Sequence, residues 1–120
     1  MISAVDNTRR VYLARGSTDL RKSIDGLAAL VIHSFELDLF SNSLFVFCNR
    51  GRDKLKILYW DHNGFWLYYR RLERGRFQWP SNSAEQAMLS IDRRQLQWLL
   101  DGLALEQRKA HPCVAARIMV

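Results

Sequence analysis

A chain of 120 residues lies near the commonest single-domain length and can bury one hydrophobic core without cross-links. With 48% hydrophobic and 25% charged residues, it is far from disordered, fibrous or disulfide-dense compositions. The net charge is +6, and the two cysteines, Cys48 and Cys113, are far apart with no other ligand at metal-binding spacing, which argues against a zinc site and a disulfide framework. No apolar run is long enough for a membrane span and no secretory leader is recognisable, so the expectation is a protein of a reducing cytoplasm with no membrane contact and no cofactor.

Val11-Tyr12-Leu13-Ala14 reads as a short strand, and Arg15 to Asp19 supplies the small polar residues that end it. Leu20, Ile24, Leu27, Leu30 and Val31 recur every three or four residues, which predicts a helix over roughly residues 18–34. Asp19 would cap it, and Asp25 would pair with Arg21 one turn away. Gly26 costs such a helix about 1 kcal/mol relative to Ala and would let a strand approach closely. Residues 37–43 read as a loop. Leu44 to Cys48 follow as an apolar central strand, then Lys54 to Trp60 and Phe65 to Leu72 as two further strands.

Asn63-Gly64 between aromatic-rich runs signals a hairpin. With those two residues at the turn's centre, His62 pairs with Phe65, Trp60 with Leu67, Leu58 with Tyr69 and Lys56 with Arg71; another loop length changes this register. Phe77 to Trp79 reads as a short extra strand ended by Pro80, and residues 81–88 as irregular. Ser90 and Asp92 are N-cap residues for a second helix carrying Ile91, Leu96, Leu99, Leu100 and Leu103, with Gly102 as its stop. The expected architecture is α+β: an antiparallel meander sheet of four or five strands with two main helices on one face, in the order β-α-β-β-β-(β)-α. Residues 1–105 form one domain, and residues 106–120 a poorly ordered tail or an outside contact.

The positive charge is regional. Eight basic residues (Arg50, Arg52, Lys54, Lys56, Arg70, Arg71, Arg74 and Arg76) stand against Asp53, Asp61 and Glu73, a surplus of five in 27 residues, while the rest of the chain is nearly neutral. Clustered cations bind phosphate backbones, and Arg adds bidentate geometry, so these eight are the candidate DNA-binding residues. Tyr59, Trp60, Trp66, Tyr68 and Tyr69 alternate among them, either as core or as base-stacking platforms. Asp19, Arg21, Lys22 and Asp25 form a second charged group, a candidate surface for docking a partner protein or DNA, against the simpler reading of a helix cap and an intrahelical pair.

No catalytic or metal-binding constellation can be assembled. Asp19, Asp25, Asp53, Asp61 and Glu73 follow no acidic motif, His33, His62 and His111 lack partners at motif spacing, and there is no phosphate-cradling Gly-rich loop. The expectation is a protein that works by binding and is not an enzyme.

Four blocks carry a family likeness: Thr18-Asp19-Leu20-Arg21-Lys22-Ser23-Ile24-Asp25-Gly26-Leu27; Leu44-Phe45-Val46-Phe47; Lys54-Leu55-Lys56-Ile57-Leu58-Tyr59-Trp60-Asp61 with Gly64; and Arg71-Leu72-Glu73-Arg74-Gly75-Arg76-Phe77-Gln78-Trp79-Pro80. Together they resemble the small TnpB accessory protein of the insertion-sequence-66 family of bacterial transposable elements, a family distinct from the RNA-guided nucleases of the same name. The likeness spans residues 10–103. It implies a bacterial, cytoplasmic protein, nucleoid-associated if DNA-bound, encoded beside a larger transposase that carries the acidic catalytic triad. The accessory protein would assist transposition without strand transfer, with DNA (the element's terminal repeats) and the transposase as partners. The resemblance assigns no catalytic residue and no oligomeric state.

Overall fold

Leu44, Val46 and Cys48 point to one side of their strand and Phe45 and Phe47 to the other, and every residue of Ser43–Cys48 is buried. A strand of this kind needs cover on both faces, and the fold supplies it. The computed structural model describes residues 9–83 and 86–107. Most of the expected tail, with His111 and Cys113, lies outside the described residues.

Among the described residues the elements are β1 (Arg10–Ala14), α1 (Ile24–Ala29, continued by a π-helical turn over Leu30–Ser34), β2 (Ser43–Cys48), β3 (Lys54–Asp61), β4 (Gly64–Arg71), β5 (Met88–Ile91) and α2 (Arg93–Leu100). The five strands form one sheet in the order β4-β3-β2-β1-β5. The α+β class and the element order are as expected. The sheet, however, is mixed: β2, β3 and β4 form the antiparallel meander, whereas β1 and β2 pair in parallel. Tight turns force neighbours antiparallel, but the long connection through α1 returns the chain to the end of the sheet where β1 began.

The helices lie on opposite faces, correcting the expectation of a single covered face. Leu27 and Val31 of α1 pack with Phe45, Phe47 and Leu58, while Leu96, Leu99 and Leu100 of α2 pack with Val11, Leu13, Leu44, Val46 and Ile57. The second core also holds Cys48, whose thiol is pushed up to about 12 by burial, so it stays protonated and acts as an apolar packing group.

Three local expectations are corrected. First, α1 begins at Ile24 and not near Thr18, because the Thr18 N–H donates to the Cys48 carbonyl (2.8 Å) and holds the preceding segment across the end of the sheet. Gly26 accordingly makes room for the Lys22 stem, which would lie 3.0 Å from an added Cβ, and not for a strand. Second, the fifth strand is Met88–Ile91, paired with β1. Phe77 and Trp79 are instead buried side chains of a segment without regular secondary structure, anchored by Phe77 N–H to the Arg52 carbonyl (2.7 Å) and by Trp79 Nε1–H to the Ala14 carbonyl (2.9 Å). Third, the β3–β4 turn centres on His62-Asn63, with His62 at φ 61°, so Asp61 faces Gly64, Trp60 faces Phe65 and Lys56 faces Tyr69. Since each partner shifts by two positions, every side chain keeps its face.

The second helix follows its sequence signals closely. Asp92 and Gln95 form a reciprocal capping box. At the other end Gly102 takes φ 84°, and the Leu103 N–H returns to the Trp98 carbonyl (2.7 Å), which places Leu103 beyond the helix.

Candidate nucleic-acid interface

Strand direction gathers the cations at one end of the sheet. β2 leaves at Cys48, Cys48 faces Leu55, and Lys54 faces Arg71, so the β2–β3 turn, the start of β3 and the end of β4 converge. β1, parallel to β2, ends there too and continues into Arg15. All eight candidate DNA-binding residues are in this region: Arg50 and Arg52 in the turn, Lys54 and Lys56 on β3, Arg70 and Arg71 on β4, Arg74 and Arg76 in the loop beyond. They do not share one face. Alternation from the packed Leu55, Leu58, Leu67 and Tyr68 puts Lys54, Lys56 and Arg71 on the α1 side and Arg70 on the α2 side.

Asn49 shapes the turn that presents Arg50. Its Oδ1 accepts from the Asp53 and Lys54 N–H groups (3.1 and 3.0 Å), and its Nδ2 donates to Asp53 Oδ1 (2.8 Å). That last bond is the main reason the Asp53 carboxyl sits below the usual carboxylate range. Arg50 and Arg52 are left exposed, the latter at φ 61°.

On the α1 side an open groove of about 870 Å³ runs between residues 17–21 and the β3–β4 hairpin. Asp19 and Arg21 from the docking group meet Arg50, Lys54 and Lys56 there, over a floor that includes Leu67 and Tyr69. Lys22 and Asp25 are exposed and do not line it. Lys56 Nζ donates to the Leu20 and Lys22 carbonyls (2.7 and 2.9 Å), which ties the loop to β3, and lies 5.7 Å from the Tyr69 ring centroid. A smaller cleft of about 460 Å³ on the other side joins Arg70, Arg74 and Arg76 to Leu100, Asp101 and Gly102 at the carbonyl end of α2. The partial negative charge of a helix C-terminus favours cations there.

Asp19 neither caps α1 nor leaves Arg21 to Asp25. Its carboxylate accepts from the Arg21 N–H (3.0 Å) and from the guanidinium, with Nη2 to Oδ2 at 2.8 Å. The Arg21 side-chain bonds, then its backbone bond, bring the carboxyl from 3.8 down to about 2. A folded-state value below the unfolded one means that the pair's stabilising contribution is present above about pH 4 and lost as pH falls through about 2. Arg21→Ala should raise the Asp19 midpoint toward the ordinary carboxylate range, with the retained backbone bond from residue 21 still holding it below, in an NMR titration of the side-chain carbonyl. An unmoved midpoint would show that the pair does not form in solution.

Tyr59, Trp60 and Trp66, three of the aromatics considered for base stacking, occupy the opposite end. Phe40, Trp60 and Phe65 form one edge-to-face cluster, and Tyr59 stacks with Trp66 on the other face of the hairpin. Phe40 and Trp66 remain 58% and 57% exposed. Tyr68 packs on the core, so of the five aromatics considered for base stacking only Tyr69 stands among the cations. Sequence reasoning passed over Phe40, which sits in a polar loop, and Arg9, whose guanidinium binds the Trp60 carbonyl (3.0 Å) and lies 5.3 Å from the Tyr59 ring centroid. Neither carries a local signal, because their partners are distant in sequence. Among the described residues, no three of His, Cys, Asp and Glu are placed to hold a metal ion, and no helix is long and apolar enough to cross a membrane.

Fold and surface together define a small basic α+β protein with a cluster of cations at one end of a mixed sheet. The chain belongs to the IS66 Orf2-like family, whose model, described as "IS66 Orf2 like protein", matches residues 9–110, and this makes it an accessory protein of IS66-type transposition. It is similar to two proteins of Sinorhizobium fredii (strain NBRC 101917 / NGR234). Identity is 40% to the uncharacterized protein y4hO, covering 78% of this chain and 80% of that one, and 30% to the uncharacterized protein y4jC, covering 86% of each. No solved structure matches the chain significantly.

Proposed function

We propose that this accessory protein acts without catalysis, by binding DNA through the basic end of its sheet. The observation that supports this most is the convergence of the eight cations, six of them exposed, from three chain segments onto one end. Exposed Arg and Lys side chains gathered in this way match the phosphate backbone, whose binding is driven by counterion release. Transposition supplies the biological setting, with the element's terminal repeats as the DNA.

Titration of the protein against a labelled terminal end of the element and a random duplex of equal length, at two salt concentrations, tests the reading. The expected result is tighter binding to the end and a weaker, steeply salt-dependent affinity for random DNA. Absence of binding to either at low salt contradicts it.

A second reading draws on the exposed Phe40 and Trp66 at the end remote from the cations. Exposed aromatic clusters are characteristic of protein contacts. Here the domain would dock on the separately encoded transposase through its aromatic end or through Asp19, Arg21, Lys22 and Asp25. Co-purification of the two proteins from nuclease-treated extracts tests this, and no association at micromolar concentrations contradicts it.

A further inference from the structure

The geometry points to an unpaired DNA strand as the ligand of the groove on the α1 side, with a base stacked on Tyr69 and the neighbouring phosphates on Arg50 and Lys54. This rests on the DNA-binding reading and specifies the strand state that the groove selects. Its floor is apolar and aromatic: Leu67 lies beside Tyr69, whose side chain is 50% exposed on the edge strand β4. Exposed tyrosine beside cations suits base stacking, which tolerates any sequence because every base has a π-face.

The rim is cationic. Arg50 and Lys54 have no ion-pair partner among the described residues, whereas the one carboxylate on the groove, Asp19, is already matched by Arg21. Lys56 is committed to two loop carbonyls and stands 5.7 Å from the Tyr69 ring centroid, so the platform is held in place before a ligand arrives. A duplex keeps its bases stacked inward and presents only phosphates and groove edges to such a surface. A single strand, a frayed end or a flipped base can offer its plane to the ring.

Fluorescence anisotropy with a labelled short oligothymidylate and a mixed-sequence duplex of equal length, on the full chain, tests the assignment. The expected result is tighter binding of the single strand than of the duplex. Tyr69→Ala should weaken single-strand binding by about 5- to 150-fold, Tyr69→Phe should retain it, and duplex affinity should change by less than about two-fold in both. Circular dichroism checks that Tyr69→Ala is folded, and Tyr69→Phe supplies the comparison should it not be: that variant keeps the aromatic ring, so a large loss of single-strand binding in it overturns the stacking assignment. Equal affinity for both DNA forms, or the same loss on both in Tyr69→Ala, also overturns it while leaving DNA binding by the basic end in place. Failure to bind either form at low salt removes both readings.

Discussion

Changing Arg70, Arg71, Arg74 and Arg76 together to Gln should lower affinity for duplex DNA by up to about 4,000-fold at 0.1 M salt and flatten its salt dependence. Each phosphate contact contributes about 0.9 to the slope of log affinity against log salt, which at 0.1 M corresponds to about eight-fold in affinity. Four contacts set the upper bound, and fewer leave a proportionally smaller loss. The protein should remain folded, because all four side chains are exposed and the one ion pair lost among the described residues, Arg71 with Glu73, is a surface pair between side chains 58% and 75% exposed. Unchanged affinity in the folded variant would remove these arginines from the interface.

Trp79→Ala should have the largest effect on stability, a loss of about 3–5 kcal/mol in denaturant unfolding. Trp79 is 7% exposed, packs in the core beneath α2, and donates from Nε1 to the Ala14 carbonyl at the end of β1. Removing it leaves a cavity and an unmatched carbonyl, and it detaches the segment that follows the basic loop. A domain of this size has about 5–15 kcal/mol in total, so the variant should be close to unfolding. Trp79→Phe keeps most of the packing but orphans the carbonyl, for a smaller loss of about 1–3 kcal/mol. A loss below about 1 kcal/mol for the Ala variant would mean that residues 77–80 are not docked in solution.

Much of this architecture is written in local pattern. The apolar run Leu44 to Cys48 marks the fully buried strand, the Asn-Gly pair marks the hairpin, and Asp92 with Gly102 marks both ends of α2. What escaped local reading was decided by distant partners. The segment Thr18 to Ser23 carries Leu20 on helical spacing, yet the Cys48 carbonyl takes the Thr18 N–H and Lys56 takes the carbonyls of Leu20 and Lys22, which favours a non-helical path. Met88 to Ile91 overlaps the capping signals of α2 and becomes a strand because β1 offers an open edge.

The candidate site divides in the same way. Clustering of charge between Arg50 and Arg76 is visible in one dimension, since tight turns keep that segment together. Its division between two faces depends on which residues of β3 and β4 meet each helix layer. That Asp19 and Arg21 join Arg50, Lys54 and Lys56 around one groove depends on the parallel return of the chain through α1, which no local spacing encodes.

The central claim is that the basic end of the sheet is the surface that meets DNA, and an amide chemical-shift titration with the element's terminal duplex tests it most directly. Shifts should concentrate in residues 50–56 and 70–76 and in the loop over 15–21. Shifts confined to Phe40, Trp60, Phe65 and Trp66 at the aromatic end would contradict the account.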